Sequence, residues 1–157
     1  MRTTILILTL MLFTIKIVAA QGQSSITITN SSWTPSVGTN PVSITGNDYI
    51  NSTLTSSVYQ SLLNVNSNEG YTISINKTDI DWIAGLSLWV GRTGDGTASS
   101  ATISANVPFI QLTYLDQALF TGNKDRINIP LQFEIRGLSV LLPAKQYTTT
   151  IVFTISN

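Results

Sequence analysis

Ile127-Asn128-Ile129-Pro130-Leu131-Gln132-Phe133-Glu134-Ile135-Arg136 decides the fold class. Ile127, Ile129, Leu131, Phe133 and Ile135 occupy alternate positions, with polar residues or proline between them. A helix would return to the same face every 3.6 residues, so strict period two means a strand with one buried and one wet face. Tyr147-Thr148-Thr149-Thr150-Ile151-Val152-Phe153-Thr154-Ile155-Ser156 repeats the pattern, setting Tyr147, Thr149, Ile151, Phe153 and Ile155 against the others. Tyr71, Ile73 and Ile75 alternate with Thr72, Ser74 and Asn76, and Ile26 and Ile28 alternate with threonines across residues 25–29. Pro130 has no N–H for a sheet ladder, so its strand is expected at an edge or with a bulge at that point.

Further strands are expected at residues 41–45, 49–55, 58–65, 86–90, 101–105 and 109–115. Turn-forming stretches at 36–41, 46–48, 66–70, 91–96 and 122–125 separate them. About 8–10 short strands with turns every 8–15 residues give an all-β, antiparallel, immunoglobulin-like β-sandwich in one domain, residues 21–157, with a small barrel as the alternative. Composition agrees. Only 10% of residues are charged, and Ser and Thr number 36 from Gln21 onward, far from the Glu, Lys, Ala and Leu content of a helical domain.

Residues 1–20 read as a signal peptide. Arg2 supplies the positive start, residues 5–15 an apolar run, and Val18-Ala19-Ala20 the small residues before a cut ahead of Gln21. Lys16 interrupts the run short of the twenty or so residues that a membrane span needs. A secreted or cell-surface protein with no membrane span after cleavage is expected.

Absent residue types exclude whole chemistries. With no histidine and no cysteine, Ser-His-Asp triads, thiol catalysis, the usual zinc sites and disulfides are ruled out. Eight acids against six bases from Gln21 onward, with no basic cluster, give no surface for nucleic acid. Asp79 and Asp81 are the one closely spaced carboxylate pair and would share a strand face, an arrangement compatible with a glycosidase pair or calcium ligands. A solvent-facing strand edge gives the same pattern. No catalytic residue, cofactor or metal is assigned.

Gly91-Arg92-Thr93-Gly94-Asp95-Gly96-Thr97 has the glycines of a phosphate loop but not its Lys-Ser/Thr ending. It reads as a hairpin tip. With Trp89 before it, it forms a candidate ligand loop of Trp89, Arg92 and Asp95 for a glycan or a protein. The alternative for Trp33, Trp82 and Trp89 is that the rings fill the core or cover its ends. Asn30, Asn51 and Asn76 head the three glycosylation sequons.

Three stretches carry a resemblance: the alternating residues 25–29, the run Gly137-Leu138-Ser139-Val140-Leu141-Leu142-Pro143-Ala144, and the strand that follows Lys145-Gln146. Together they resemble secreted bacterial immunoglobulin-like β-sandwich proteins of the fimbrial-subunit type. The disulfide and the penultimate aromatic of a standard chaperone–usher subunit are missing, Ser156 standing in the latter place. Cysteine-free surface sandwiches occur in other pilus and matrix-fibre families. The resemblance implies a non-enzymatic structural or adhesive role at the cell surface, with partners that are copies of itself or other surface proteins. It also implies assembly by strand addition, for which Ile26, Ile28 and Trp33 are the candidate donor side chains. The alternative for residues 25–29 is pairing inside their own domain, and the alternative function is a monomeric binding module.

Overall fold

The computed structural model describes residues 17–19, 24–35, 52–98, 100–105, 108–139, 142–143 and 145–157. The strand expected at 41–45, the start of the one at 49–55, Asn51 and most of the leader lie outside the described residues. Among the described residues there are ten strands: β1 (Ile17–Ala19), β2 (Ser25–Thr29), β3 (Ser52–Thr55), β4 (Ser61–Asn66), β5 (Gly70–Asp81), β6 (Ser87–Arg92), β7 (Ile110–Gln111), β8 (Gln117–Asn123), β9 (Arg126–Leu138) and β10 (Thr148–Ser156). No helix occurs among the described residues, and none is long and apolar enough to cross a membrane.

The strands form two sheets packed face to face, a β-sandwich. One has the order β1-β10-β5-β8, the other β2-β4-β9-β6-β7, with β3 also on β9. Every pairing is antiparallel except that of β1 with β10. Most of the residues that the alternation selects point inward, Ile73, Ile75, Ile151, Phe153 and Ile155 from one sheet and Ile26, Leu131 and Phe133 from the other, where Leu63 and Leu88 join them. Each such side chain contributes about 1.5–3 kcal/mol by leaving water.

β9 is the hub. Its first half pairs with β4 and its second half with β3 on one side, while β6 runs along the other. An edge position for Pro130 is therefore overturned, and the strand's bulge lies before Pro130, not at it, since Pro130 stays in register with Leu62. The register with β4 shifts between Leu63 and Val65, opposite Ile129 and Arg126, and Asn128 takes a left-handed φ of 56°. A bulge inserts one residue and flips what precedes it. Ile127, expected inside, is 50% exposed, and Arg126 is buried in its place.

Three other strand expectations change. Residues 58–60 form the turn before β4, residues 101–105 contribute only the bridge Ile103–Gly122, and 109–115 shrinks to the two residues of β7. β8 has no alternation to read. A register shift between Ile73 and Ser74 on its partner lets the adjacent Leu119 and Phe120 both face the core.

The two sides of the sandwich differ. On the β8 side, residues 102–104 run along the strand, with Ser104 N–H donating to Thr121 O at 2.9 Å. On the other side, among the described strands, β1 ends one sheet just beyond β10 and β2 ends the other.

Candidate functional site

The candidate ligand loop is held from below. Arg92 closes β6 on the inner face and its side chain is fully buried. Its guanidinium donates to Gly94 O at 3.3 Å, to the Asp95 carboxylate and to Ser104 O, and lies over the Phe120 ring at 5.3 Å. Arg126 donates to Asp95 O at 2.8 Å and to Ala101 O at 2.6 Å. Two buried cations thus gather the carbonyls of Gly94, Asp95, Ala101 and Ser104, which lie outside the strands. Tyr71 lies between their fields. Burial raises its phenol pKa, against the lowering effect of Arg126 and Arg92. Arg92 is an anchor of this loop and not a displayed contact; Asp95 is exposed, as a contact residue would be, but its carboxylate is engaged by Arg92.

Trp89 points the other way. It sits on the outer face of the second sheet, half-buried, with its indole N–H donating to Ser87 Oγ at 2.9 Å. The Arg136 guanidinium lies 3.9 Å from the ring centroid and pairs with Glu134 at 2.7 Å. Trp89 therefore belongs neither to the core nor to the 91–96 loop. The other two rings follow the packing alternative. Trp33 is buried and stacks on Phe133, centroids 6.3 Å apart. Trp82 packs against the core and donates to Leu86 O at 2.8 Å.

Asp79 and Asp81 are divided between different partners. Asp79 accepts from Lys77 Nζ at 2.7 and 2.6 Å, from Tyr114 Oη at 2.6 Å and from Thr149 Oγ1 at 2.8 Å. Burial alone would raise its pKa, but the three donors hold the carboxyl below its ordinary value. Lys77 is itself flanked by the Trp82 and Tyr114 rings, at 5.4 and 5.0 Å. Asp81 pairs with Lys145. Among the described residues no cluster of acids is arranged to hold a metal ion. Lys77 was legible in principle, because extending the inward series Tyr71, Ile73, Ile75 by two places lands on it.

The donor-strand candidates lie in their own domain. β2 pairs with β4 from Ser25–Asn66 to Thr29–Leu62. Ile26 is buried there and Ile28 packs at the margin of the core. Among the sequon asparagines, Asn30 is exposed at a φ of 53° just after β2, while Asn76 on β5 donates to Asp116 at 2.6 Å.

The remaining feature is the side of the sandwich where β1, β10 and β2 lie. Ile17, Val18 and Ala19 pair in parallel with Phe153, Thr154 and Ile155, and β1 also lies against β2. β10 carries no charged residue and no proline over nine residues, and β2 none over five. Lysines, prolines and charges are the usual means of keeping sheet edges from pairing with other chains. Fold and site together define a β-sandwich whose β10 and β2 strands, on the side where β1 lies, carry neither charge nor proline. Comparison with known protein families, curated proteins and solved structures finds no match.

Proposed function

We propose that this chain is a non-enzymatic structural protein of the cell surface, a fibre or surface-matrix subunit that is secreted and joined to its neighbours by strand addition at its terminal strand. The observation that carries the reading is the pairing of Ile17–Ala19 with Phe153–Ile155. Those three residues belong to the leader that the signal-peptide reading removes, and their loss leaves the Phe153–Ile155 edge without its partner. Main-chain groups there would accept an added strand, and the inward row Ile151, Phe153 and Ile155 would meet its alternate side chains. The chain beginning at Gln21, purified and viewed by negative-stain microscopy, should show rods, ladders or multimers that persist in SDS. A uniform monomer would count against the reading.

A second reading rests on Trp89, whose outward position beside Arg136 is that of a contact residue. As a monomeric binding module the protein would hold a glycan or a protein ligand on the outer face of the second sheet, and Trp89→Ala would abolish retention while the chain still folds, with a stability loss of only about 1 kcal/mol.

A further inference from the structure

We propose that Ile17–Ala19 is a placeholder: in the uncut chain it occupies the edge of β10, and cutting after Ala20 passes that edge to β2 of a second copy. The inference rests on the subunit reading and on the reading of residues 1–20 as a leader, and it adds the control of when assembly can begin.

Three observations support it. β1 is short and parallel, with register Ile17–Phe153, Val18–Thr154 and Ala19–Ile155, and parallel pairing is slightly weaker per residue than antiparallel. A longer strand adding to the same edge would displace it. The leader boundary falls immediately after this strand, so the cut that releases the mature chain also removes the cap. Finally, β1 lies against both β10 and β2, so its removal opens the ends of both sheets on one side of the molecule. A second copy supplies a suitable strand. Ser25-Ile26-Thr27-Ile28-Thr29 is uncharged and alternating, and among the described strands it is hydrogen-bonded to β4 alone. The mature chain carries eight acids against six bases, so long-range repulsion between copies is small.

The test compares a chain beginning at Lys16, which contains every described residue, with one beginning at Gln21. Both are sized by light scattering at matched concentration, with tryptophan fluorescence reporting the fold. The expected result is a folded monomer for the longer chain and at least a twofold larger mean mass for the shorter one. Adding a synthetic peptide of residues 14–20 to the shorter chain should bring its mass back towards the monomer. If both chains multimerise equally and the peptide has no effect, the placeholder is overturned while the subunit reading stands. If both are folded monomers, the subunit reading falls and takes the placeholder with it. An unfolded Gln21 chain would make β1 an integral strand of the domain, which also overturns the proposal.

Discussion

Lys77 and Asp79, two residues apart on the inner face of β5, form an ion pair at 2.6 Å with only 9% and 14% of their side chains exposed. Tyr114 and Thr149 complete the ring of donors around the carboxylate. The folded state therefore holds Asp79 below its ordinary pKa. A carboxyl depressed in the folded state adds stability that is present above the unfolded pKa of about 3.9 and is lost as the pH falls through the folded value. Asp79→Asn should cost about 3 kcal/mol at neutral pH by leaving the ammonium without its counter-charge. It should also flatten the acid limb of the stability curve. Urea unfolding from pH 7 down to pH 2 checks both, and an unchanged acid limb would show that Asp79 is not the group responsible.

Arg92 ties together backbone that has no ladder of its own. Replacing it with methionine retains much of the packing over Phe120 but leaves Gly94 O and Ser104 O without their donor. The expected loss is about 2–4 kcal/mol, the scale of breaking a buried charged network. Limited proteolysis should find residues 93–104 first. Asp95→Asn, at an exposed carboxylate, should change stability by less than about 1 kcal/mol. If Asp95→Asn proved as damaging as Arg92→Met, the carboxylate and not the carbonyl set would be the anchor.

Trp33 and Trp89 should separate in one experiment. Trp33→Ala removes a buried ring stacked on Phe133 and should cost about 3–5 kcal/mol. Trp89→Ala removes a half-buried ring whose main partner is the Arg136 guanidinium, and should cost about 1 kcal/mol. Denaturant midpoints rank the two directly. Equal losses would mean that the outer face around Trp89 is packed more tightly than its geometry shows, and would weaken the binding-module reading.

The fold class was legible because its strongest strands obey one rule. In β5 and β10 each inward residue is separated from the next by one outward residue, and the sequence displays that spacing openly. What stayed hidden lies where the backbone breaks the rule. The bulge opposite Leu63–Val65 reverses Ile127 and Arg126, and the shift at Ile73–Ser74 puts Leu119 and Phe120 together inside. Neither is written in hydrophobicity, because both arise from how one strand is laid against its neighbour. The candidate site was less legible for a related reason. Arg92 and Trp89 are three residues apart on β6, so they face opposite sides of the sheet. Treating them as one ligand loop merged an anchor with an outward ring.

The bulge can itself be tested through two isoleucines that the alternation treats as equivalent. Ile129 is fully buried, whereas Ile127 is half exposed just before Asn128, whose φ of 56° turns the strand. Ile129→Ala should cost about 2–4 kcal/mol through lost burial and the cavity left behind. Ile127→Ala should cost no more than about 1 kcal/mol, since much of that side chain never leaves water. Asn tolerates a left-handed φ better than β-branched residues do, so Asn128→Gly should be close to neutral and Asn128→Val clearly destabilising. Equal losses at Ile127 and Ile129, together with a neutral Asn128→Val, would mean that β9 runs without a bulge. In that case Ile127 would return to the core and Arg126 would leave its place beneath the loop.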